Sequence, residues 1–155
     1  MIHIIRTSSD DKRFKNLILE LNNDLISRYS QADYKFDINI QLNALDTAVI
    51  AQISNITVGC GCFKELDNET VEIKRMYVNP YFRGFGVASM MIEALNRWAK
   101  ELFYRTAVLE TGTKQPEAIN LYEKHGFEKS SRSGRTSIFQ IAFAWEKTSN
   151  PTAKP

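Results

Sequence analysis

The segment RGFGVAS, residues 83–89, places an arginine and two glycines directly before a run with helical periodicity. The first N–H groups of a helix have no partner inside the helix and lie at the positive end of its dipole. Glycines at the preceding turn let an anion approach those groups, and Arg83 can add a charge-assisted contact. The segment therefore predicts a cradle for a phosphate or pyrophosphate. The alternative is a tight turn without a ligand, and the glycines alone do not decide between the two.

Two other phosphate-binding motifs do not describe this segment. A dinucleotide fingerprint needs a third glycine where Ser89 stands, and it needs to follow a first strand rather than antiparallel ones. The Gly-Lys-Ser/Thr sequence of a Walker A loop is absent. Cys60 and Cys62 form a lone Cys-x-Cys, which is not a zinc pattern, so we predict buried apolar cysteines and no metal site.

The composition bounds the class of protein. A chain of 155 residues suits one domain. Its 20 basic and 18 acidic residues give a net charge of +2, which is too even for a nucleic-acid-binding face. The first apolar run, MIHIIR, is too short for a signal peptide or a membrane span. We therefore expect a cytoplasmic protein that binds neither nucleic acid nor membrane.

The elements that would position the cradle follow from periodicity. Alternating β-rich runs predict strands near residues 2–6, 47–54, 56–66, 70–78, 106–111, 127–131 and 136–147. Apolar residues at helical spacing predict helices after Ser8 or Ser9 as N-cap, from Val87, and between Pro116 and Gly126. A short helix and loop are expected near residues 27–43.

The order is β-α-(α)-β-β-β-α-β-α-β-β. Its strand–helix–strand segment around residues 78–110 implies one parallel crossover inside an otherwise antiparallel sheet. The prediction is a single mixed α/β domain over residues 1–147, mostly antiparallel with flanking helices, and a polar, disordered tail over residues 148–155.

Two blocks of the sequence carry a resemblance. RMYVNPYFRGFGVASMMIEAL resembles the acetyl-CoA-binding motif of the GNAT superfamily of N-acetyltransferases, Arg/Gln-x-x-Gly-x-Gly/Ala, with Arg83, Gly86 and Ala88 at the motif positions. LETGTKQPEAINLYEKHGFEK is similar to the strand–helix–turn that follows in this family. The element order matches from Ile2 to about Lys147. The resemblance implies the GNAT fold, in which the strands holding RMYV and AVLET form a splayed parallel pair.

The resemblance also implies where acetyl-CoA would bind. The pantetheine arm would enter the gap between those two strands, the pyrophosphate would lie on backbone N–H groups of the cradle, and a backbone N–H near Tyr77 or Val78 would polarise the thioester carbonyl. Asn120 resembles a residue that hydrogen-bonds the cofactor arm; an exposed helix asparagine is the alternative. The expected acetyl-CoA-binding residues are Met76, Tyr77, Val78, Arg83, Gly84, Phe85, Gly86, Val87, Ala88, Ser89 and Asn120.

The catalytic roles implied by the resemblance fall on two side chains. Glu72 is the candidate base, because strand alternation places it on the same face as Met76. Its alternative is a strand glutamate paired with Lys74 or Arg75. Tyr122 is the candidate acid that protonates the leaving thiolate. Its alternative is a core aromatic on the packing face of its helix.

The expected reaction is transfer of acetyl from acetyl-CoA to a primary amine of a small molecule or peptide, by direct attack through a tetrahedral intermediate. Tyr29, Tyr34 and Phe36 could form an apolar wall for this acceptor, and Arg132 and Arg135 would favour an acceptor that carries an anion. The alternative function is a non-catalytic acyl-CoA-binding regulator of the same fold; an interaction module without cofactor is a third. A homodimer is left open.

Overall fold

The computed structural model describes residues 1–28, 45–112, 116–133 and 136–143. The helices are α1 (Lys12–Arg28), α2 (Val87–Glu101) and α3 (Pro116–Lys124), with a 3₁₀ turn at Pro80–Phe82. The strands are β1 (Ile2–Thr7), β2 (Ala48–Ile53), β3 (Ile56–Glu65), β4 (Thr70–Val78), β5 (Thr106–Gly112), β6 (Glu128–Ser133) and β7 (Thr136–Ala142). This order confirms the predicted succession of elements; the predicted short helix near residues 27–43 falls almost entirely outside the described residues, as does the tail over residues 148–155.

All seven strands join one sheet in the order β1-β2-β3-β4-β5-β7-β6. The pairs β1–β2, β2–β3, β5–β7 and β6–β7 are antiparallel. The pair β4–β5 is parallel, because α2 carries the chain back to the starting end of the sheet. The predicted mixed, mostly antiparallel α/β fold is confirmed.

The parallel register of β4 with β5 is short. It runs from Thr70 opposite Thr106 to Glu72 opposite Val108. Strand β4 then continues to Val78. Arg75 interrupts this continuation, because its φ of 59° lies in the left-handed region that non-glycine residues seldom adopt. Such a residue inside a strand is the mark of a bulge, which breaks the alternation of side chains between the two faces.

Helix α1 begins differently from the prediction. We expected Ser8 or Ser9 to be the N-cap, but the cap is Asp11, whose Oδ1 accepts from the N–H of Arg13 at 2.8 Å while its carbonyl accepts from Lys15 at 3.0 Å. Hydrogen bonds from the Arg13 side chain hold the pKa of Asp11 well below its usual range. Ser9 is instead buried, and its Oγ accepts from the N–H of Leu45 at 2.7 Å.

The described residues divide into two compact units, and each has its own core. In the first (Met1–Cys62 and Arg75–Met91), the apolar face of α1 packs with β2, β3 and β4; its buried residues include Phe14, Leu17, Leu21, Leu25, Ile50, Cys60, Cys62 and Tyr77. In the second (Phe63–Lys74 and Ile92 onward), Phe63 meets Trp98 and Tyr104 edge to face, with centroids 5.8 and 6.3 Å apart. Cys60 and Cys62 are buried, as predicted, and form no disulfide.

Among the described residues, no helix is both long enough and apolar enough to cross a membrane.

Candidate functional site

The two glycines of the predicted cradle are needed for their backbone conformation. Gly84 has φ of 87° and Gly86 has φ of 85°, values that L-residues disfavour. A Cβ built on either glycine would meet no atom of the described residues within 4 Å. The space beside both backbones is therefore open, as an anion that approaches them would require.

Helix α2 begins directly after Gly86. The carbonyl of Gly86 accepts from the N–H of Met90 at 3.1 Å, so the N–H groups of Val87, Ala88 and Ser89 precede the first helical hydrogen bond. The first turn of α2 contains no acidic residue that would oppose an anion. This N-terminus meets the electrostatic requirements of a phosphate site.

The side chains of the cradle differ in what they can offer. Val87 is buried in the core, so only its backbone can serve a ligand. Ala88 and Ser89 are half-buried. Phe85 is 68% exposed, which makes it a surface aromatic beside the open space rather than part of the core.

The side chain of Arg83 turns back along β4. Its Nε donates to the carbonyl of Val78 at 2.9 Å, and its guanidinium lies 5.6 Å from the centroid of the Tyr77 ring. One nitrogen of the guanidinium is thus engaged in holding the turn, so the Nη groups are the atoms left for a phosphate contact. The carbonyl of Val78 therefore already accepts one hydrogen bond. The side chains of Tyr77 and Val78 are both buried.

The turn between β4 and the cradle is organised by Asn79, a residue that our sequence analysis did not select. Its Oδ1 accepts from the N–H of Tyr81 at 3.0 Å, and its Nδ2 donates to Oε2 of Glu20 on α1 at 3.2 Å. Its N–H donates to the carbonyl of Val58 at 2.8 Å, and its carbonyl accepts from Phe82 at 2.9 Å. The dipeptide Asn-Pro is a known turn signal and could have drawn attention to this position.

The hydroxyl of Tyr77 lies among charged groups of α1. Burial, the charge of Glu20 and a hydrogen bond with that carboxylate raise the pKa of Tyr77 to about 12, and the charge of Asp24 acts in the same direction. The phenol therefore stays protonated at neutral pH. No sequence signal links Glu20 to this strand, because the contact depends on how α1 packs.

The bulge at Arg75 lies between two residues that were predicted to share a face of β4. We placed Glu72 and Met76 on one face by counting alternate residues, but the left-handed backbone of Arg75 lies between them. The count therefore does not establish a shared face. The Arg75 carbonyl accepts from the buried thiol of Cys60 at 3.5 Å, and the Arg75 Nε is buried with no hydrogen-bond partner among the described residues.

Glu72, the predicted base, lies in the second unit and has an ionic neighbour. Its Oε1 is 3.7 Å from Nζ of Lys74, and both side chains are about one-fifth exposed, at 20% and 21%. This is the pairing that the structural alternative predicted.

Tyr122, the predicted acid, is buried on α3. Its ring meets Phe127 edge to face, with the centroids 5.8 Å apart and an interplanar angle of 64°. Burial raises its pKa above that of an ordinary phenol. Asn120, two residues earlier, is exposed on the same helix. Gly126 ends α3 with φ of 88°, as its position after the predicted helix required.

Most of the residues predicted to line the acceptor pocket lie outside the described residues. Tyr29, Tyr34, Phe36 and Arg135 fall outside the described residues. For Arg132 the structure gives only the backbone, which pairs with Ser137 in the β6–β7 register. Within the described ranges, no group of three or more His, Cys, Asp or Glu side chains could hold a metal ion.

Comparisons with known proteins identify the family of this chain. The profile of the family described as "Acetyltransferase (GNAT) family" matches residues 14–127. The "IAA acetyltransferase" of Azospirillum brasilense is 29% identical over 128 residues, which are 81% of this chain and 84% of that protein. The mouse "Probable N-acetyltransferase family 8 member 5" is 27% identical over 122 residues, which are 76% of this chain but 54% of that protein.

A solved structure shares the fold. One such structure is the crystal structure of the PaiA N-acetyltransferase from Thermoplasma acidophilum in complex with coenzyme A, which has a TM-score of 0.72 to this chain. The match covers 92% of this chain and 99% of that protein, with 18% sequence identity. At that identity the likeness concerns the fold. Since the family profile covers most of the chain, this protein belongs to the GNAT family of acetyl-CoA-dependent acyltransferases.

Proposed function

We propose that this protein transfers the acetyl group of acetyl-CoA to a primary amine of a small molecule or peptide. The observation that carries the proposal is the cradle: two left-handed glycines, open space beside both, and a helix N-terminus without acidic residues. The names of its relatives, which include N-acetyltransferases, support nitrogen as the atom that is acetylated.

The backbone would bind the donor. The N–H groups from Gly84 to Ala88 would hold the pyrophosphate, since that of Arg83 donates to the carbonyl of Pro80, and backbone groups near Met76 and Val78 would hold the pantetheine arm. The donor supplies an activated acetyl thioester. An N–H of Tyr77 or Val78 would stabilise the negative charge that develops on the thioester oxygen when the amine attacks directly.

Glu72 is proposed to accept the proton that the attacking amine must lose. An alkylammonium group has a pKa of about 10.4, so little free amine is present at neutral pH without a base. The contact with Lys74 would steady the position of the carboxylate.

Tyr122 is proposed to protonate the leaving thiolate. Burial raises the pKa of Tyr122 above that of an ordinary phenol, so the hydroxyl keeps its proton at neutral pH and can act as the donor to the thiolate.

The second candidate function is an acyl-CoA-binding regulator that does not catalyse. The ion pair of Glu72 with Lys74 favours it, because a carboxylate held by a lysine is also the structural arrangement expected without catalysis. Such a protein would need the cradle but neither a base nor an acid.

Two measurements separate these functions. Calorimetry with acetyl-CoA tests the cradle, and both candidates predict binding. An assay of free thiol release with a panel of alkylamines, amino acids, polyamines and peptides then tests catalysis. Thiol release that depends on one class of amine supports the acetyltransferase and names its acceptor, whereas binding without release from any acceptor supports the regulator. The expected cytoplasmic location and a homodimer stay predictions, which fractionation and light scattering can check.

A further inference from the structure

Asn79 connects three elements of the first unit through four hydrogen bonds. Its side chain bonds Glu20 on α1 and caps the 3₁₀ turn at Tyr81, while its backbone bonds Val58 on β3 and Phe82 in the turn. A residue with both side-chain groups engaged is fixed in one orientation. Asn79 thus sets the direction in which the chain leaves β4.

The cradle follows directly from this turn. Arg83 closes it, since its N–H donates to the carbonyl of Pro80 at 3.4 Å and its Nε donates to the carbonyl of Val78. Gly84 comes next. Gly84 and Gly86 both have positive φ and no side chain that could hold them in place. The position of the cradle therefore depends on the turn, and the turn depends on Asn79.

Glu20 is the one partner of Asn79 that comes from a helix remote in sequence. Its carboxylate lies on the exposed side of α1, 3.2 Å from the Asn79 amide nitrogen, whereas the other face of α1 is buried in the core. The charge of the same carboxylate helps to raise the pKa of Tyr77, two residues before Asn79. Among the described residues, Arg83 and Arg75 are cations in this neighbourhood, and Arg83 already bonds the backbone.

We infer that the Glu20–Asn79 hydrogen bond is a positioning contact, through which α1 holds the turn and so sets the affinity of the cradle for coenzyme A. Neither residue is assigned a contact with the cofactor. The inference rests on the proposed function, because it takes the cradle to be the pyrophosphate site. It adds that binding at the cradle and order in α1 are linked, so coenzyme A should slow amide hydrogen exchange in α1.

The test exchanges the donor and the acceptor of the Glu20–Asn79 hydrogen bond and measures the Kd for coenzyme A by calorimetry. Asn79→Asp keeps an oxygen to cap Tyr81 but faces Glu20 with a second carboxylate, and we expect the Kd to rise about tenfold. Glu20→Gln added to Asn79→Asp restores the bond with its direction reversed, because the glutamine amide donates to the new carboxylate. The Kd should return to within about threefold of wild type.

Two controls separate the bond from charge. Glu20→Ala with Asn79→Asp has the same net charge as the restored pair but cannot form the bond, so its Kd should stay about tenfold raised. Asn16→Asp adds a negative charge on the exposed surface of α1 and should leave the Kd unchanged. The melting temperature of each protein without ligand, and the KM for acetyl-CoA beside kcat, show that the effect is on binding rather than on folding or turnover.

The outcomes are distinct. Recovery in the glutamine pair but not in the alanine pair supports the inference. Equal affinities in all variants, or equal loss in both pairs, overturns it while leaving the proposed function intact. A wild-type protein that does not bind coenzyme A overturns the proposed function, and the positioning role falls with it.

Discussion

Gly86→Ala tests whether the cradle needs glycine for its conformation, for its ligand, or for both. Gly86 has φ of 85°, and a left-handed conformation costs an L-residue roughly 1–2 kcal/mol. The added Cβ would meet no atom of the described residues within 4 Å, so no clash with them adds to that cost in the free protein. For a chain of this length we expect the melting temperature to fall by about 2–8 °C.

The same methyl group would project into the space that the pyrophosphate is proposed to use. Loss of one charge-assisted hydrogen bond from the backbone costs about 1.5–3 kcal/mol, so the Kd for coenzyme A should rise roughly 10- to 150-fold. Calorimetry measures the Kd, and thermal melts without ligand measure the stability.

Gly126→Ala is the matched control. Gly126 has φ of 88°, so the backbone cost is similar, and its Cβ would lie at an ordinary 3.4 Å from Cδ1 of Ile141. It ends α3 and has no part in the cradle. We expect a comparable fall in melting temperature with unchanged affinity. If both variants lose affinity alike, or if folded Gly86→Ala binds as wild type does, the assignment of the cradle is refuted.

Three further predictions concern proton transfer and helix capping. Glu72→Gln should leave the Kd for acetyl-CoA unchanged and lower kcat/KM at neutral pH by roughly 10²–10⁴-fold, with partial recovery at high pH. An unchanged pH–rate profile would mean that Glu72 serves only as the ionic partner of Lys74. Tyr122→Phe keeps the ring contact with Phe127, so the melting temperature should stay near wild type while kcat falls by roughly 10²-fold, and full activity would assign Tyr122 to packing. Asp11→Ala should cost about 0.5–2 kcal/mol at pH 7, as judged by urea unfolding. Arg13 lowers the pKa of folded Asp11 below the unfolded value near 3.9. The stability that Asp11 contributes is therefore complete above that pH and is lost as the pH falls below it. A stability difference between Asp11→Ala and wild type that persists unchanged at pH 2 would contradict the cap.

Local patterns were enough to predict most elements and the cradle. Helix α3 begins at Pro116 and is followed by the left-handed Gly126, as the preferences of helix ends require. Gly84 and Gly86 have the positive φ that a glycine turn before a helix predicts. Such features depend on residues a few positions apart, and for that reason they can be read from sequence.

The strand–helix–strand order predicted the parallel pair, but not the bulge at Arg75. A left-handed arginine inside β4 breaks the alternation on which we paired Glu72 with Met76. Arginine gives no signal of this conformation, because the surrounding sheet imposes it against the preference of the residue.

Contacts between distant segments were decided only by the tertiary structure. The bond of Asn79 with Glu20 joins residues that are 59 positions apart, and the charge of Glu20 on Tyr77 depends on the same packing of α1. The choice of Asp11 over Ser8 or Ser9 as N-cap also follows from packing, since Ser9 is drawn into a buried bond with Leu45. Sequence thus determined the glycine turn that we propose as the cradle, whereas the fold determined which side chains hold that turn, because burial and long-range hydrogen bonds have no local pattern.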